Sequence, residues 1–213
     1  MRIKVIGGTG YAGSHIVREA VSRGHEVTSY SRNAPAEPVE GAVYRTGNVL
    51  EDDFLAETVA DADAVFETLS PRGELAGRLE EVVDRLIPLA VGAGVRLGVL
   101  GGASSMHVSE GGPRLIDLHE PAPEVAPEIH TGIALLETLR AAPEDLDWFY
   151  VSPAASFGSW VPGERTGSYR LSDEVLLTDE NGDSSISGAD LAIAVVDELE
   201  QAAHRRRRFH VAY

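Results

Sequence analysis

Hydrophobic positions along the chain fall into short apolar runs that alternate with stretches of helical spacing. Arg2 to Ile6 reads as a strand, and Gly7-Gly8-Thr9-Gly10-Tyr11-Ala12-Gly13 follows it. Ile16, Val17, Ala20 and Val21 then recur on one helical face, and Gly24 stands where a helix-ending glycine is expected. Glu26 to Tyr30 predicts a second strand, Ala42 to Arg45 a third, Glu51 to Ala60 a helix and Ala64 to Leu69 a fourth strand. Glu74 to Ala90 reads as one long amphipathic helix, with Leu75, Leu79, Val82, Val83, Leu86 and Leu89 facing inward. Val95 to Leu100 is a strand, Val108 to Pro127 a loop, Glu128 to Ala141 a helix and Asp147 to Val151 a sixth strand. Such strand–helix alternation predicts an α/β fold, a doubly wound parallel sheet of Rossmann type.

The last third of the chain has a different pattern. Tyr169–Leu171 and Val175–Thr178 read as short strands, and Asn181-Gly182 as a hairpin turn between Leu176–Thr178 and Ser184–Ile186. A helix from about Ala189 to Ala203 follows, then a terminal strand over Phe209 to Ala212. The expectation is one domain over residues 1–213, with a small α+β lid or substrate region over 154–188.

Composition narrows the function classes. A charged fraction of 24% and a hydrophobic fraction of 43% are those of a soluble globular chain. No apolar run is long enough to span a bilayer, and the N-terminus lacks a signal-peptide core. A cytoplasmic protein with no membrane partner is therefore expected. The net charge of −16 argues against nucleic-acid binding, because phosphate backbones would be repelled. There is no cysteine, which excludes disulfides, thiolate metal sites and cysteine nucleophiles. The 18 basic residues comprise 17 arginines and a single lysine, Lys4. Any mechanism that needs a lysine must use that one, which reads as a sheet-edge or snorkelling residue.

The glycine cluster carries the clearest chemistry. Gly7-x-x-Gly10-x-x-Gly13 lies between a strand and an amphipathic helix, where glycines allow a sharp turn and close approach of backbone to a pyrophosphate. The helix N-terminus adds free N–H groups and the positive end of a dipole. Dinucleotide binding follows, by Gly7, Thr9, Gly10, Tyr11, Ala12 and Gly13. The second strand ends in Ser31-Arg32-Asn33, and Arg32 lies 22 residues after Gly10, where NAD-specific folds usually carry a carboxylate. A guanidinium there suits a 2′-phosphate, so NADP is preferred over NAD. Other strand ends should complete the site: Asn48 and Val49 at the adenine, Leu69, Ser70 and Pro71 at the pyrophosphate and ribose, and Gly102, Ala103 and Ser104 near the nicotinamide.

In order along the chain, Ile3–Gly13, Ser31-Arg32-Asn33, Gly47-Asn48-Val49, Val99–Ala103, Ser152-Pro153-Ala154 and Gly163–Gly167 resemble the atypical short-chain dehydrogenases/reductases. More narrowly the chain is similar to the NAD(P)H-binding group that includes NADH–flavin reductases, biliverdin/flavin reductases and NmrA-like proteins. The resemblance covers nearly the whole chain and is specific for fold and cofactor but not for substrate. It implies that Pro153 lies near the nicotinamide carboxamide. The chain departs from better-known members at their Tyr-x-x-x-Lys pair. None of its six tyrosines has lysine four residues on. By that resemblance Ser104 takes the place of the serine after strand five, and His130, 26 residues later, falls near the tyrosine. His107 is a second proton-donor candidate. A flavin or quinone reductase can dispense with a protein acid, because its work is positioning and electrostatics.

Other signals carry less. Asp179-x-Asn181-x-Asp183 lacks the glycine and glutamate positions of a calcium loop. The seven histidines show no metal-ligand spacing, so no metal is expected. Arg205–Arg208 reads as a solvated cap at a helix C-terminus. Ser104, Asp117 and His119 lack the nucleophile elbow of a hydrolase. The resulting expectation is an NADP-dependent reductase that passes hydride to a small planar acceptor, with FMN or FAD as possible substrates and Phe157 and Trp160 walling the acceptor. It would act as a monomer or homodimer. The alternatives are an NADP-binding redox sensor and an epimerase with bound NAD.

Overall fold

The computed structural model describes residues 1–118 and 120–213, so His119 lies outside the described residues. The described residues form eight strands and six helices: β1 (Arg2–Ile6), α1 (Tyr11–Ser22), β2 (Glu26–Ser31), β3 (Ala42–Thr46), α2 (Asp52–Glu57), β4 (Ala64–Glu67), α3 (Leu79–Ala93), β5 (Arg96–Leu100), α4 (Leu115–Leu118), α5 (Ala126–Arg140), β6 (Trp148–Pro153), β7 (Arg170–Ser172), α6 (Gly188–Gln201) and β8 (Arg207–Ala212). They build one sheet in the order β3-β2-β1-β4-β5-β6-β8-β7. All neighbours are parallel except β7, which runs antiparallel to β8. The strand order reverses between β1 and β4, and a crevice opens there at the carboxyl ends of the strands.

Both faces of the sheet are covered, so its central strands are apolar on both sides. Ile3 and Val5 of β1 pack with Ile16, Val17 and Ala20 of α1 and with Leu191, Val195 and Leu199 of α6. Val65, Leu97, Val99 and Trp148 face the other way, onto Leu55 of α2, Val82, Val83 and Leu86 of α3 and Leu135 and Leu139 of α5. Among the described residues no helix is long and apolar enough to cross a membrane.

Several expectations are corrected by the structure. The long helix over Glu74–Ala90 splits into a 3-10 turn at Gly73–Leu75 and α3 from Leu79. Gly77, at φ +67°, breaks the helical path between them. The segment Val108–Pro127 is not all loop, since α4 forms one turn within it. Val175–Thr178 forms no strand: Val175 makes only an isolated bridge to His107. The turn at Asn181-Gly182 is present, with Gly182 N–H donating to Asp179 at 3.1 Å, but no hairpin flanks it. The Asp179 carboxylate takes the N–H groups of Asn181 and Asp183 instead.

The basic run is no solvated cap. The helix α6 ends at Gln201, and Arg207 already begins β8, which lies inside the sheet. Its alternate side chains must therefore face inward, and Arg208 is 3% exposed. Arg206, at φ +53°, donates to the carbonyls of Ala142 and Leu146, each at 3.0 Å, and to that of Pro143. Lys4 stands on a central strand, not an edge. Its stem runs to the end of α2, where the ammonium donates to the carbonyls of Glu57 and Ala60. Burial lowers its pKa, and a lysine so engaged has no route to the crevice.

Candidate functional site

A cavity of about 700 Å³ opens along the carboxyl ends of the strands. Gly7, Thr9, Gly10, Tyr11 and Ala12 line its floor; Ser31, Arg32, Asn33, Asn48 and Val49 line one end. Leu69, Ser70 and Pro71 roof the middle, and Gly102, Ala103, Ser104 and Pro153 line the other end. Sixteen of the seventeen dinucleotide positions expected from the sequence thus meet in one space. Gly13 does not reach the wall. It lies beneath, where a Cβ would sit 2.3 Å from the Gly7 carbonyl oxygen and 2.7 Å from Gly8 Cα. Only glycine lets α1 seat on the turn this closely.

The start of α1 itself fits a dinucleotide pyrophosphate. No side chain caps α1. Among the described residues, the first-turn N–H groups of Tyr11, Ala12 and Gly13 have no backbone or side-chain acceptor, while Gly10 N–H and Ser14 N–H are used in the turn. Such unpaired donors at a positive helix end form an anion cradle. Ser31 Oγ steadies the loop by accepting from Thr9 N–H at 3.3 Å. Tyr11 ties the same loop to the C-terminal third of the chain: its hydroxyl donates to the Pro162 carbonyl and accepts from Gly188 N–H, both at 3.0 Å.

Two arginines line the cavity, and each faces a carboxylate across it. Arg32 lies 3.5 Å from Glu74, and Arg72 pairs with Glu128 at 2.7 Å. Glu74 was not foreseen, because the sequence placed it in a regular helix and not in the 3-10 turn that brings it over β2. Thr68 also lines the crevice, anchored by donation to the Ile6 carbonyl at 3.0 Å.

The end of the cavity at Ser104 differs from the sequence expectation. Ser104 lines the cavity, but His107 and His130 are not on its wall. The His107 ring turns away to the Gly112 carbonyl at 2.6 Å, held by backbone pairing of its N–H with Glu174. His130 is exposed on α5, whose neighbouring residues Glu128, Ile129, Thr131 and Gly132 face the cavity instead. Tyr150 occupies the place unforeseen. Its hydroxyl donates to the Gly132 carbonyl at 2.8 Å and accepts from Gly102 N–H at 3.3 Å. Burial pushes its pKa up, so it stays a neutral phenol. Gly101 makes room for it: a Cβ there would meet the hydroxyl at 1.6 Å. Phe157 and Trp160 also line this end, Phe157 lying 5.5 Å from the Tyr11 ring and Trp160 standing 68% exposed.

Below the cavity floor, Glu67 ends β4 and is wholly buried. One carboxyl oxygen accepts from Leu69 N–H, and the other has no partner among the described residues. With no cation beside it, burial pushes its pKa up to about 8, so it is a neutral acid at pH 7.

A family model described as NAD(P)H-binding matches residues 7–202. The uncharacterised protein YwnB of Bacillus subtilis is 37% identical over 213 residues, which cover 99% of this chain and 98% of that protein. A crystal structure of a candidate NADH-flavin reductase from Streptococcus pneumoniae superposes with a TM-score of 0.86 at 33% identity, covering 100% of this chain and 99% of that one. A candidate epimerase from Bacteroides thetaiotaomicron gives a TM-score of 0.87 at 32% identity, covering 100% and 96%.

Proposed function

The chain belongs to the NAD(P)H-binding family, and from that premise we propose that it is an NADP-dependent reductase of the atypical short-chain type. Its acceptor is a small planar molecule: a flavin such as FMN or FAD, a quinone or a conjugated carbonyl. The observation that carries this reading is the continuity of one cavity from the unpaired N–H groups of α1, past Arg32, to Ser104, Phe157 and Trp160. The S. pneumoniae relative, named for flavin reduction, supports the same reading. A dihydronicotinamide bound there would supply the hydride.

The chain's own residues bind, orient and exclude water. Tyr11 and Ala12 would hold the pyrophosphate through backbone N–H groups, with Gly13 seating the helix beneath them. Arg32 would hold the 2′-phosphate, exchanging its pairing with Glu74 for a charge-assisted one. Pro153, Gly102 and Ala103 would border the nicotinamide ring. Phe157 and Trp160, within the segment 154–188, would cover the acceptor as a lid with flat aromatic faces. Ser104 faces that space; His107 and His130 do not, so a histidine acid is dropped from the mechanism. A non-catalytic NADP-binding sensor is the second reading, favoured by a cavity wall on which no histidine or lysine stands among the described residues.

Titration with NADPH and NADH, followed by NADPH oxidation assays with FMN and menadione, tests the proposal. Arg32→Ala should weaken NADPH binding by roughly 10- to 100-fold, the worth of a hydrogen-bonded charge pair, and leave NADH binding nearly unchanged. Preference for NADH, untouched by that substitution, would overturn the cofactor assignment. Tight NADPH binding without turnover on any acceptor would favour the sensor.

A further inference from the structure

Arg32 and Glu74 stand on the cavity wall with Ser31, Asn33, Asn48 and Val49. In folds of this type a carboxylate near the end of the second strand accepts from the ribose 2′-hydroxyl of NAD. Here an arginine holds that place, and a carboxylate arrives instead from the turn after β4. Arg32 Nη1 lies 3.5 Å from Glu74 Oε2, and Arg32 has no other acidic partner among the described residues. A cation and an anion thus stand side by side at one end of the cavity.

The backbone beneath Glu74 is fixed. Leu75 N–H donates to the Arg72 carbonyl and Ala76 N–H to that of Gly73, both at 3.2 Å, and Arg78 N–H donates to that of Leu75 at 3.0 Å. The Leu75 side chain is buried in the core beneath α3. Gly73 and Gly77 flank the turn at φ +60° and +67°, a conformation that other residues rarely adopt. The turn therefore presents Glu74 at a set place, while its side chain, 65% exposed, is free to rotate. An ion pair as exposed as this one contributes little to stability. Stability is thus a poor account of a carboxylate set against Arg32 on the cavity wall.

We propose that Glu74 is a cofactor-selecting residue: it takes the 2′-hydroxyl of the adenosine ribose in NAD(H), where Arg32 takes the 2′-phosphate in NADP(H). The two ligands make opposite demands at one position. A phosphate monoester carries about −1.5 to −2 charges at pH 7, so it draws Arg32 and repels the carboxylate, which must rotate outward. A hydroxyl carries a hydrogen, which a carboxylate accepts and a guanidinium cannot. Glu74 therefore lowers the affinity for NADP(H), raises that for NAD(H) and narrows the preference between them. No covalent bond forms or breaks. This role of Glu74 rests on the assignment of Arg32 to the 2′-phosphate and is independent of the acceptor.

Calorimetric titration of the full chain with NADP⁺ and with NAD⁺ tests the role. Glu74→Ala should bind NADP⁺ about three- to tenfold more tightly, because a like charge is gone. It should bind NAD⁺ about tenfold more weakly, because a charge-assisted hydrogen bond is lost. Glu74→Gln keeps an acceptor oxygen without the charge. It should share the gain for NADP⁺ and hold NAD⁺ within about threefold of the unaltered protein. At about 1 M salt the NADP⁺ gain should shrink, since the Debye length is then roughly 3 Å. Shifts of both affinities in the same direction, no shift in either, or a loss of NAD⁺ affinity no larger in Glu74→Ala than in Glu74→Gln would each overturn the selecting role. Arg32→Ala is the control. If it weakens NADP⁺ while neither Glu74 variant moves either affinity, the cofactor assignment stands and Glu74 is not its selector. If it leaves NADP⁺ affinity unchanged, or if neither dinucleotide binds, the 2′-phosphate assignment falls and the role of Glu74 falls with it.

Discussion

At the residue scale the informative side chains are those whose charge contradicts their surroundings. Arg32 could be read directly, because its place after the second strand is set by distance from the glycine turn. Glu67 could not be: in the sequence it is one of 34 acidic residues, and only the packing of β1, β5 and the roof of the crevice makes it a buried acid. Its raised pKa has a direct consequence for stability. The unfolded carboxyl ionises near 4.5 while the folded one stays protonated to about 8. Its contribution is therefore fully present below pH 4.5 and is lost as pH rises toward 8, at up to about 1.4 kcal/mol per unit. Glu67→Gln, which cannot ionise, should flatten this loss. Thermal unfolding at pH 5 and pH 8 should show the variant gaining on the unaltered protein at the higher pH. Equal pH dependence would mean that Glu67 is already ionised.

At the element scale the turn between β1 and α1 is the most fully determined by local sequence. Three glycines, a strand before and an amphipathic helix after leave little else for it to be. Gly13→Ala tests how tightly. The added Cβ would press on the backbone of Gly7 and Gly8, which cannot yield as a side chain would. A cost of about 1–3 kcal/mol is expected, seen as a lower Tm, together with loss of NADPH binding in a calorimetric titration. Retained binding at an unchanged Tm would show that α1 can shift away from the turn. The start of α3 shows where local pattern fails. Periodicity ran through Glu74 and Leu75 into Leu79, and a single residue, Gly77, decided otherwise. The same break lifts Glu74 to within 3.5 Å of Arg32.

At the scale of the whole molecule, the C-terminal third closes the site by threading back into the sheet. β8 lies between β6 and β7, and Tyr213 follows it. The Tyr213 hydroxyl donates to Asp190 at 2.6 Å. That buried carboxylate also takes Thr166 N–H, Thr166 Oγ1 and Gly167 N–H at 2.8–2.9 Å. Burial alone would raise its pKa, but the bonds from Tyr213, Thr166 and Gly167 outweigh burial and lower it. The end of the chain thus anchors the segment that carries Phe157 and Trp160. Tyr213→Phe should loosen that segment and raise KM for the acceptor severalfold with little change for NADPH; an unchanged acceptor KM would separate the anchor from the lid. By itself, the sequence determined the α/β alternation, the dinucleotide turn and the exclusion of a tyrosine–lysine pair, because these follow from local spacing and from counting one lysine. Only the tertiary structure decided what stands at the Ser104 end of the cavity. It set both histidines off the cavity wall, placed Tyr150 on it, and joined Ser105 to Arg208 across 103 positions. Contacts so distant in sequence depend on strand order, and no periodicity in the chain encodes that β8 slides between β6 and β7.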